Sequence, residues 1–181
     1  MRSASFPARL WGHFKTITLH KLRVTRLCFK MGLIKQGLLH DLSKYSPIEF
    51  WSGVRYFQGY RSPIDAEKEA KGYSEGWLHH KGRNKHHWEY WVDMGKDGMQ
   101  GTAMPVNYVV EMFCDRVTAT KIYQKDKYTD QAPYEYYLRG RHRYMMHPDT
   151  HQLLETMLKM LADTDLDTTI QYIRKEILKN Q

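Results

Sequence analysis

The chain has few cysteines and no long apolar run, and it lacks a glycine-rich phosphate loop. Cys28 and Cys114 are its only two cysteines in 181 residues, and both lie in apolar runs, where cysteine behaves as a small hydrophobic side chain. Two isolated cysteines exclude a disulfide framework and a thiolate zinc site, so we expect a reducing, cytoplasmic environment. No segment approaches the ~20 apolar residues that span a bilayer, so we expect no membrane partner.

Acidic residues are missing from the first forty positions. Residues 1–40 hold eight of the 28 lysines and arginines and none of the 20 acidic residues, which leaves the rest of the chain neutral overall. The net charge of +8 therefore belongs to this basic segment. An anionic partner, either nucleic acid or a small phosphorylated substrate, would explain this concentration of positive charge. We favour the alternative that these side chains form one solvated helix face.

Apolar residues recur at helical spacing, and no pair of strands stands out. The stripe that begins at Leu10 predicts a first helix, which Gly32 ends. A second helix is expected at about 34–44, and Ser46 with Pro47 starts a third that ends near Gly59. Further helical segments are expected at 62–73, in two pieces of 74–91 broken at Gly82, and at 105–123, 134–138, 149–162 and 167–178, with a loop at 93–104. The fold class is all-α, in a single domain over residues 1–181.

The dipeptide His40-Asp41 lies inside the apolar segment Gly37-Leu38-Leu39-His40-Asp41-Leu42-Ser43-Lys44. An imidazole and a carboxylate side by side on an apolar helix rarely serve packing, because each is costly in a core unless it is paired or binds a cation. His40 and Asp41 are therefore candidate metal ligands.

One histidine of the first helix would supply a third ligand. His13 and His20 are seven residues apart and both fall on the inward stripe. If the first two helices turn back near Gly32, then at 1.5 Å per residue His40 lies roughly 12 Å from the turn, His20 about 18 Å and His13 about 28 Å. This geometry favours His20 and leaves His13 as the alternative.

A fourth ligand comes from the apolar run between positions 106 and 117, which Asp115 interrupts. A buried acid must be stabilised, and Glu111, one turn earlier, could orient a ligand or a metal-bound water. Nitrogen and oxygen donors without thiolate suit a catalytic divalent ion such as Fe, Mn, Co, Ni or Zn. The alternative is that Asp115 pairs with Arg116 or caps a buried histidine.

Together these residues resemble the pattern of the HD-domain superfamily of metal-dependent phosphohydrolases: one histidine, an adjacent His-Asp pair and a distant aspartate, here His20, His40-Asp41 and Asp115. Three segments are also similar to an uncharacterised bacterial and phage family of that kind: HDLSKYSP at 40–47, NxHHxEYW at 84–91 and Glu111-Met112. The resemblance covers about residues 10–123 and implies a helical bundle of HD-domain type, to which the helical spacing adds C-terminal helices at about 134–179.

Histidines are dense in the segment 77–91, and they are doubled at 79/80 and 86/87. If the helix continues through Gly82, His80 and His87 share one face while His79 and His86 share another. The bimetallic branches of the superfamily imply that His80 and His87 bind a second ion bridged by Asp41. We therefore expect one or two metal ions per chain, with His79 and His86 as the alternative pair.

The resemblance implies a phosphohydrolase acting on a phosphomonoester, phosphodiester or nucleotide. We assign catalytic roles to Asp41, Lys44 and Glu111, and substrate contacts to Lys44, Asn84 and Arg83. The superfamily also contains di-iron oxygenases, so a second interpretation is that the same ligands hold two iron ions that activate dioxygen. A third interpretation is that the chain is a non-enzymatic metal-containing protein that binds nucleic acid through residues 1–40.

Overall fold

In the computed structural model, which describes residues 5–179, the longest element is helix α1 (Phe6–Lys30). Gly32 follows it with a φ of +86°, a conformation that side chains other than glycine rarely adopt, so the chain turns back there as predicted. Residues 1–4, 180 and 181 of the predicted domain, and thus the start of the basic segment 1–40, lie outside the described residues. The buried stripe of α1 combines apolar and imidazole side chains: His13, Ile17, His20, Val24, Leu27 and Cys28.

The second helix is shorter than predicted. Helix α2 (Ile34–Leu39) ends before His40, and a 3-10 turn follows at Leu42–Tyr45. Between them Asp41 has φ 54° and ψ 22°, in the left-handed region. The prediction of one helix over 34–44 that carries His40 and Asp41 is therefore wrong. Adjacent side chains on a continuous helix point about 100° apart, so the break allows the two side chains to converge.

The later helices follow the predicted order closely. Pro47 is the first residue of the third helix, as predicted, and Pro63 is the first residue of the fourth, which Ser62 caps by accepting a hydrogen bond from the amide of Ile64 at 3.3 Å. The described helices are α3 (Pro47–Tyr56), α4 (Pro63–Lys71), α5 (Glu75–Lys81), α6 (Val106–Gln124), α7 (Ala132–Gly140), α8 (Pro148–Asp163) and α9 (Leu166–Tyr172). A π-helical turn extends α9 at Ile173–Ile177, and shorter 3-10 turns lie at Trp88–Trp91, Lys125–Lys127 and Arg141–Arg143.

A small hairpin replaces most of the loop predicted at 93–104. Strands β1 (Val92–Gly95) and β2 (Gly98–Gly101) pair antiparallel, with Gly95 opposite Gly98. The expectation of no strand pair is wrong here, because Lys96 and Asp97 form a two-residue turn and Gly98 begins the returning strand with a φ of 117°, which side chains other than glycine rarely adopt. The fold class is unaffected, since 73% of the described residues are helical.

The core forms where α1, α6 and α8 pack together, and α7 and α9 close it. Helix α6 is buried nearly all round, with Val109, Phe113 and Val117 fully inaccessible. A helix buried in this way can carry polar side chains only where other groups hydrogen-bond to them or neutralise their charge. The carboxylates of Glu111 and Asp115 on α6 must therefore have partners. Within the described chain, no helix has the length and apolar character that crossing a membrane requires.

Two glycines let α1 and α3 approach closely. A methyl group at Gly53 would collide with the ring of His13, and one at Gly12 would lie 2.5 Å from Phe57 Cε1. The ring of His13, from α1, therefore packs against the backbone of α3, and the ring of Phe57, just after α3, packs against the backbone of α1.

We predict that Gly53→Ala lowers the free energy of unfolding by about 1–3 kcal/mol, because the His13 ring has to move in a well-packed interface. The matched control is Gly82→Ala, whose methyl group would make ordinary contacts with the carbonyl oxygens of Leu78, at 3.5 Å, and His79, at 4.0 Å. Urea denaturation of both variants measures the difference. Equal effects of the two substitutions would contradict the close packing of α1 on α3.

Candidate metal centre

A buried cluster of imidazoles and carboxylates forms where α1, α5 and α6 meet the junction after α2. His40, Asp41, His80 and His86 are each no more than 2% exposed. Two groups of four residues each offer one ligand atom per residue, all within 4.8 Å of one another. The first donor group is His20, His40, Asp41 and Asp115, and the second donor group is Asp41, His80, His86 and His87.

The first donor group has the spacing of ligands around one ion. His20 Nε2 lies 2.9 Å from Asp115 Oδ1 and 3.4 Å from Asp41 Oδ2. His40 Nε2 lies 3.2 Å from the same Asp41 oxygen and 3.4 Å from His20 Nε2. Ligands about 2.1 Å from a tetrahedral or octahedral ion are themselves about 3.0–3.4 Å apart. The cluster could therefore hold a metal ion with little rearrangement.

The second donor group uses the other oxygen of Asp41. His80 Nε2 lies 3.3 Å from Asp41 Oδ1, and His86 Nε2 lies 3.5 Å from it. His87 completes the group from the loop after α5. Asp41 thus presents one oxygen to each donor group, as a bridging carboxylate does.

Several of these ligand atoms have no hydrogen-bond partner. Asp41 Oδ1 and the Nε2 atoms of His86 and His87 are buried without one. A buried acceptor without a donor costs about 1–3 kcal/mol, and more when it is charged. Lys44 Nζ lies 2.6 Å from Asp41 Oδ2 and compensates part of its charge. The unpartnered atoms point into the second donor group, which fits a cation there.

Two further carboxylates orient the imidazoles. Glu111 Oε1 accepts from Nδ1 of His40 at 2.9 Å and from Nδ1 of His86 at 3.0 Å. One carboxylate therefore directs the Nε2 lone pair of one histidine in each donor group. Glu49 accepts from His80 Nδ1 at 2.7 Å and from His79 Nδ1 at 2.6 Å, and so serves the second donor group alone.

For four of the ligand residues, the surroundings favour the protonation state that binds a metal ion. Burial opposes ionisation of Asp41 and Asp115, but the charges of His40 and Lys44 beside Asp41 and the hydrogen bond of His20 to Asp115 outweigh it and lower the pKa of both carboxyl groups well below the usual range. Burial also lowers the pKa of His86 and His87, and neighbouring imidazoles add to the effect. Two anionic carboxylates and two neutral imidazoles are the forms that bind metal.

The structure brings all six predicted ligands together, and it adds His86 to them. The chain leaves the helix at the end of α5, so the expected helical face through Gly82 does not form, and the adjacent His86 and His87 both reach the cluster from a loop. His79 lies outside both donor groups and contacts Glu49. Glu49 was not among the predicted site residues.

His13 lies away from the cluster. Its ring packs against Phe50 and Phe57, with centroids 5.4 and 6.1 Å apart, and burial lowers its pKa to about 4. His20 is therefore the residue of α1 that joins the first donor group. Lys21, on the next position, donates to the carbonyl oxygens of Leu38 at 2.8 Å and His40 at 2.9 Å, and so fixes the end of α2.

A cavity of about 880 Å³ opens beside the cluster, and Lys44 and His80 form part of its wall. The two other predicted substrate contacts do not line it. Asn84 donates to Ser43 Oγ and to the carbonyl of His80, both at 2.8 Å, and so holds the end of α5. Arg83 is exposed and donates to the carbonyl of His79 at 3.3 Å. The cavity therefore gives no support to substrate contacts by Asn84 and Arg83.

The chain belongs to a protein family described as a family of unknown function, DUF5662, whose profile matches residues 9–160. The match includes every residue of both donor groups. No curated protein and no solved structure matches the chain. The function therefore has to be argued from the geometry of the site.

We predict that Glu111→Gln weakens metal binding in both donor groups by about 10- to 100-fold, because it removes the charge that orients His40 and His86. Glu49→Gln is the matched control, and it should weaken only the second donor group. Calorimetric titration with Mn²⁺ and Zn²⁺, with elemental analysis of stoichiometry, separates the two variants. A loss of a single ion in Glu111→Gln would contradict the shared role of Glu111.

Metal binding should also release protons. Burial opposes protonation of His40, but Asp41, Glu111 and Asp115 outweigh it and raise its pKa to about 10. Below that pH the metal-free imidazole is protonated and must lose its proton to bind an ion. We therefore expect metal affinity to rise with pH between about 6 and 10. Titration at pH 7.5 in two buffers of different ionisation enthalpy measures the protons released, and a count of zero would refute this.

Proposed function

We propose that this chain is a metal-dependent phosphohydrolase with one or two divalent transition-metal ions at the cluster around Asp41. The observation that carries the proposal is the buried Asp41 carboxylate, whose two oxygens face different donor groups. We extend the proposal to membership of the HD-domain superfamily, because the residues that resemble its motif meet at one point in the fold.

Metal ions bound there would acidify a water molecule and polarise a phosphoryl oxygen. The protein itself would supply three further effects. Asp41 and Asp115 stay ionised at neutral pH, Glu111 keeps the imidazoles oriented, and the burial of the cluster limits access of bulk water. These are the conditions under which fixed charges act most strongly on a reacting group.

Lys44 is the residue best placed to contact a phosphate. Its side chain is 26% exposed, it touches Asp41, and it lines the cavity. Burial would lower its pKa, but Asp41 and Asp115 outweigh this and raise the pKa above the usual range. Lys44 therefore stays cationic at the point where the cavity meets the cluster, and it would balance negative charge on the phosphoryl group.

A di-iron oxygenase is the second candidate, because several imidazoles and a bridging carboxylate are also a ligand set that iron accepts. The nucleic-acid alternative is weaker. Lys21 is engaged by backbone carbonyls, and Lys30 lies 3.6 Å from Asp167, so part of the basic segment already has partners within the chain.

We predict that Lys44→Met keeps the fold and the bound metal, while kcat/KM on phosphoesters falls by about 10²-fold, the usual effect of removing one oriented charge. Asp41→Ala should abolish both metal binding and hydrolysis. Lys85→Met, an exposed lysine that lies over the rings of Tyr90 and Tyr108, is the control and should leave turnover unchanged.

The measurement is phosphate release from a broad panel of phosphoesters by protein reconstituted with each of Mn, Fe, Co, Ni and Zn. Iron-dependent consumption of dioxygen with an organic substrate, and no phosphate release with any metal, would replace the hydrolase by the oxygenase. Failure to bind any of the five metals would refute both functions.

A further inference from the structure

The cavity is much larger than one phosphate group requires. Its volume of about 880 Å³ lies near the upper end of the range for small-molecule sites, about 300–1,000 Å³. Apolar and aromatic side chains form part of the wall, among them Ile17, Phe57, Ile64 and Tyr128. The cavity therefore suits a whole organic phosphoester, with its carbon skeleton against this apolar part.

Positive charge is distributed widely around the cavity. The cationic wall residues are Lys15, Arg23, Lys44, Arg61, Lys121 and Lys125, against Glu49 and Asp126. Asp41 pairs with Lys44, and Glu69 pairs with Arg61 at 2.6 Å. The other four cations have no carboxylate within 4.0 Å among residues 5–179.

The spread of these charges exceeds the size of one phosphate. Lys15 and Arg23 are eight residues apart on α1, which corresponds to about 12 Å along the helix. Lys121 and Lys125 face the same cavity from the end of α6. A phosphate carries a charge of about −1.5 to −2, which Lys44 and the metal cluster would already meet. The remaining cations therefore exceed what the reacting phosphate needs.

The backbone at Lys125 is a second, independent observation. This residue has φ 51° and ψ −122°, a conformation that side chains other than glycine rarely adopt. Strained residues of this kind tend to occur at functional sites, where the surrounding structure holds them. Here the strained residue ends α6, and its side chain is part of the cavity wall.

We infer that the substrate carries a second anionic group besides the reacting phosphate, and that Lys121 and Lys125 bind this second group. The inference rests on the proposed function for the reacting phosphate, but the second anionic contact can be measured without turnover. The ligand class is an organic bisphosphate, or a phosphoester with another strongly acidic group.

The test compares two matched pairs of probes on the metal-loaded full chain: fructose 1,6-bisphosphate with fructose 6-phosphate, and adenosine 3′,5′-bisphosphate with adenosine 5′-monophosphate. Calorimetry gives the Kd of each probe, and phosphate release gives KM and kcat. We expect at least one bisphosphate to bind about tenfold or more tightly than its monophosphate, as one charged contact would provide.

Two variants assign the contact, and a third controls for net charge. Lys121→Met and Lys125→Gly should each reduce the preference for the bisphosphate by about tenfold, with the Kd of the monophosphate unchanged within about twofold. Lys125→Gly should also keep or raise the melting temperature, because glycine adopts this backbone without strain. Lys96→Met removes a lysine from the exposed hairpin turn and should change neither value.

The outcomes separate the inference from the proposed function. Equal Kd values within both pairs, or variants that weaken monophosphate and bisphosphate alike, would overturn the second anionic contact even if phosphate is released. A bisphosphate preference that depends on Lys121 and Lys125 would support the contact even if none of the four probes is hydrolysed, because the broad phosphoester panel decides the hydrolase separately.

Discussion

The placement of one buried negative charge, on Asp41, governs the arrangement of the rest of the site. Its oxygens are approached by imidazoles of α1, of α5 and of the loop after α5, and by the ammonium of Lys44. A charge that is 1% exposed persists only with such partners, because the loss of an opposite charge leaves an uncompensated buried ion. The left-handed backbone of Asp41 is part of the same arrangement, since it permits the carboxylate and the His40 ring to meet.

Local signals in the sequence were sufficient for the first donor group. His40-Asp41 and Asp115 are anomalies within apolar runs, and the length of the helix hairpin distinguished His20 from His13. The second donor group was harder to predict, because helical periodicity assumes a continuous helix. That helix ends after Lys81, so both residues of the pair His86-His87 reach the cluster. The role of Glu49 depends on a contact made 31 residues away, at His80, and local sequence carries no signal for it.

Helix α6 connects the stability of the fold to the chemistry of the site. Its apolar residues lie in the core between α1 and α8, whereas Glu111 and Asp115 reach the cluster. The unpartnered ligand atoms make the metal-free cluster costly, so a bound cation would contribute to folding as well as to function. A substitution that shifts α6 would then disturb the core and both donor groups together, since Glu111 serves a histidine of each.

The structure shows where several basic residues of the segment 1–40 lie. This basic segment suggested either an anionic partner or a solvated helix face, and in the fold its lysines and arginines make different contacts. Lys21 holds the end of α2 beside His40, while Lys15 and Arg23 line the cavity. A positive wall next to a cluster whose own carboxylates are buried would concentrate anions at the cavity before any specific contact forms. Lys15 and Arg23 thus belong to the cavity, whereas Arg26 and Lys30 lie exposed on α1, as a solvated helix face would have them.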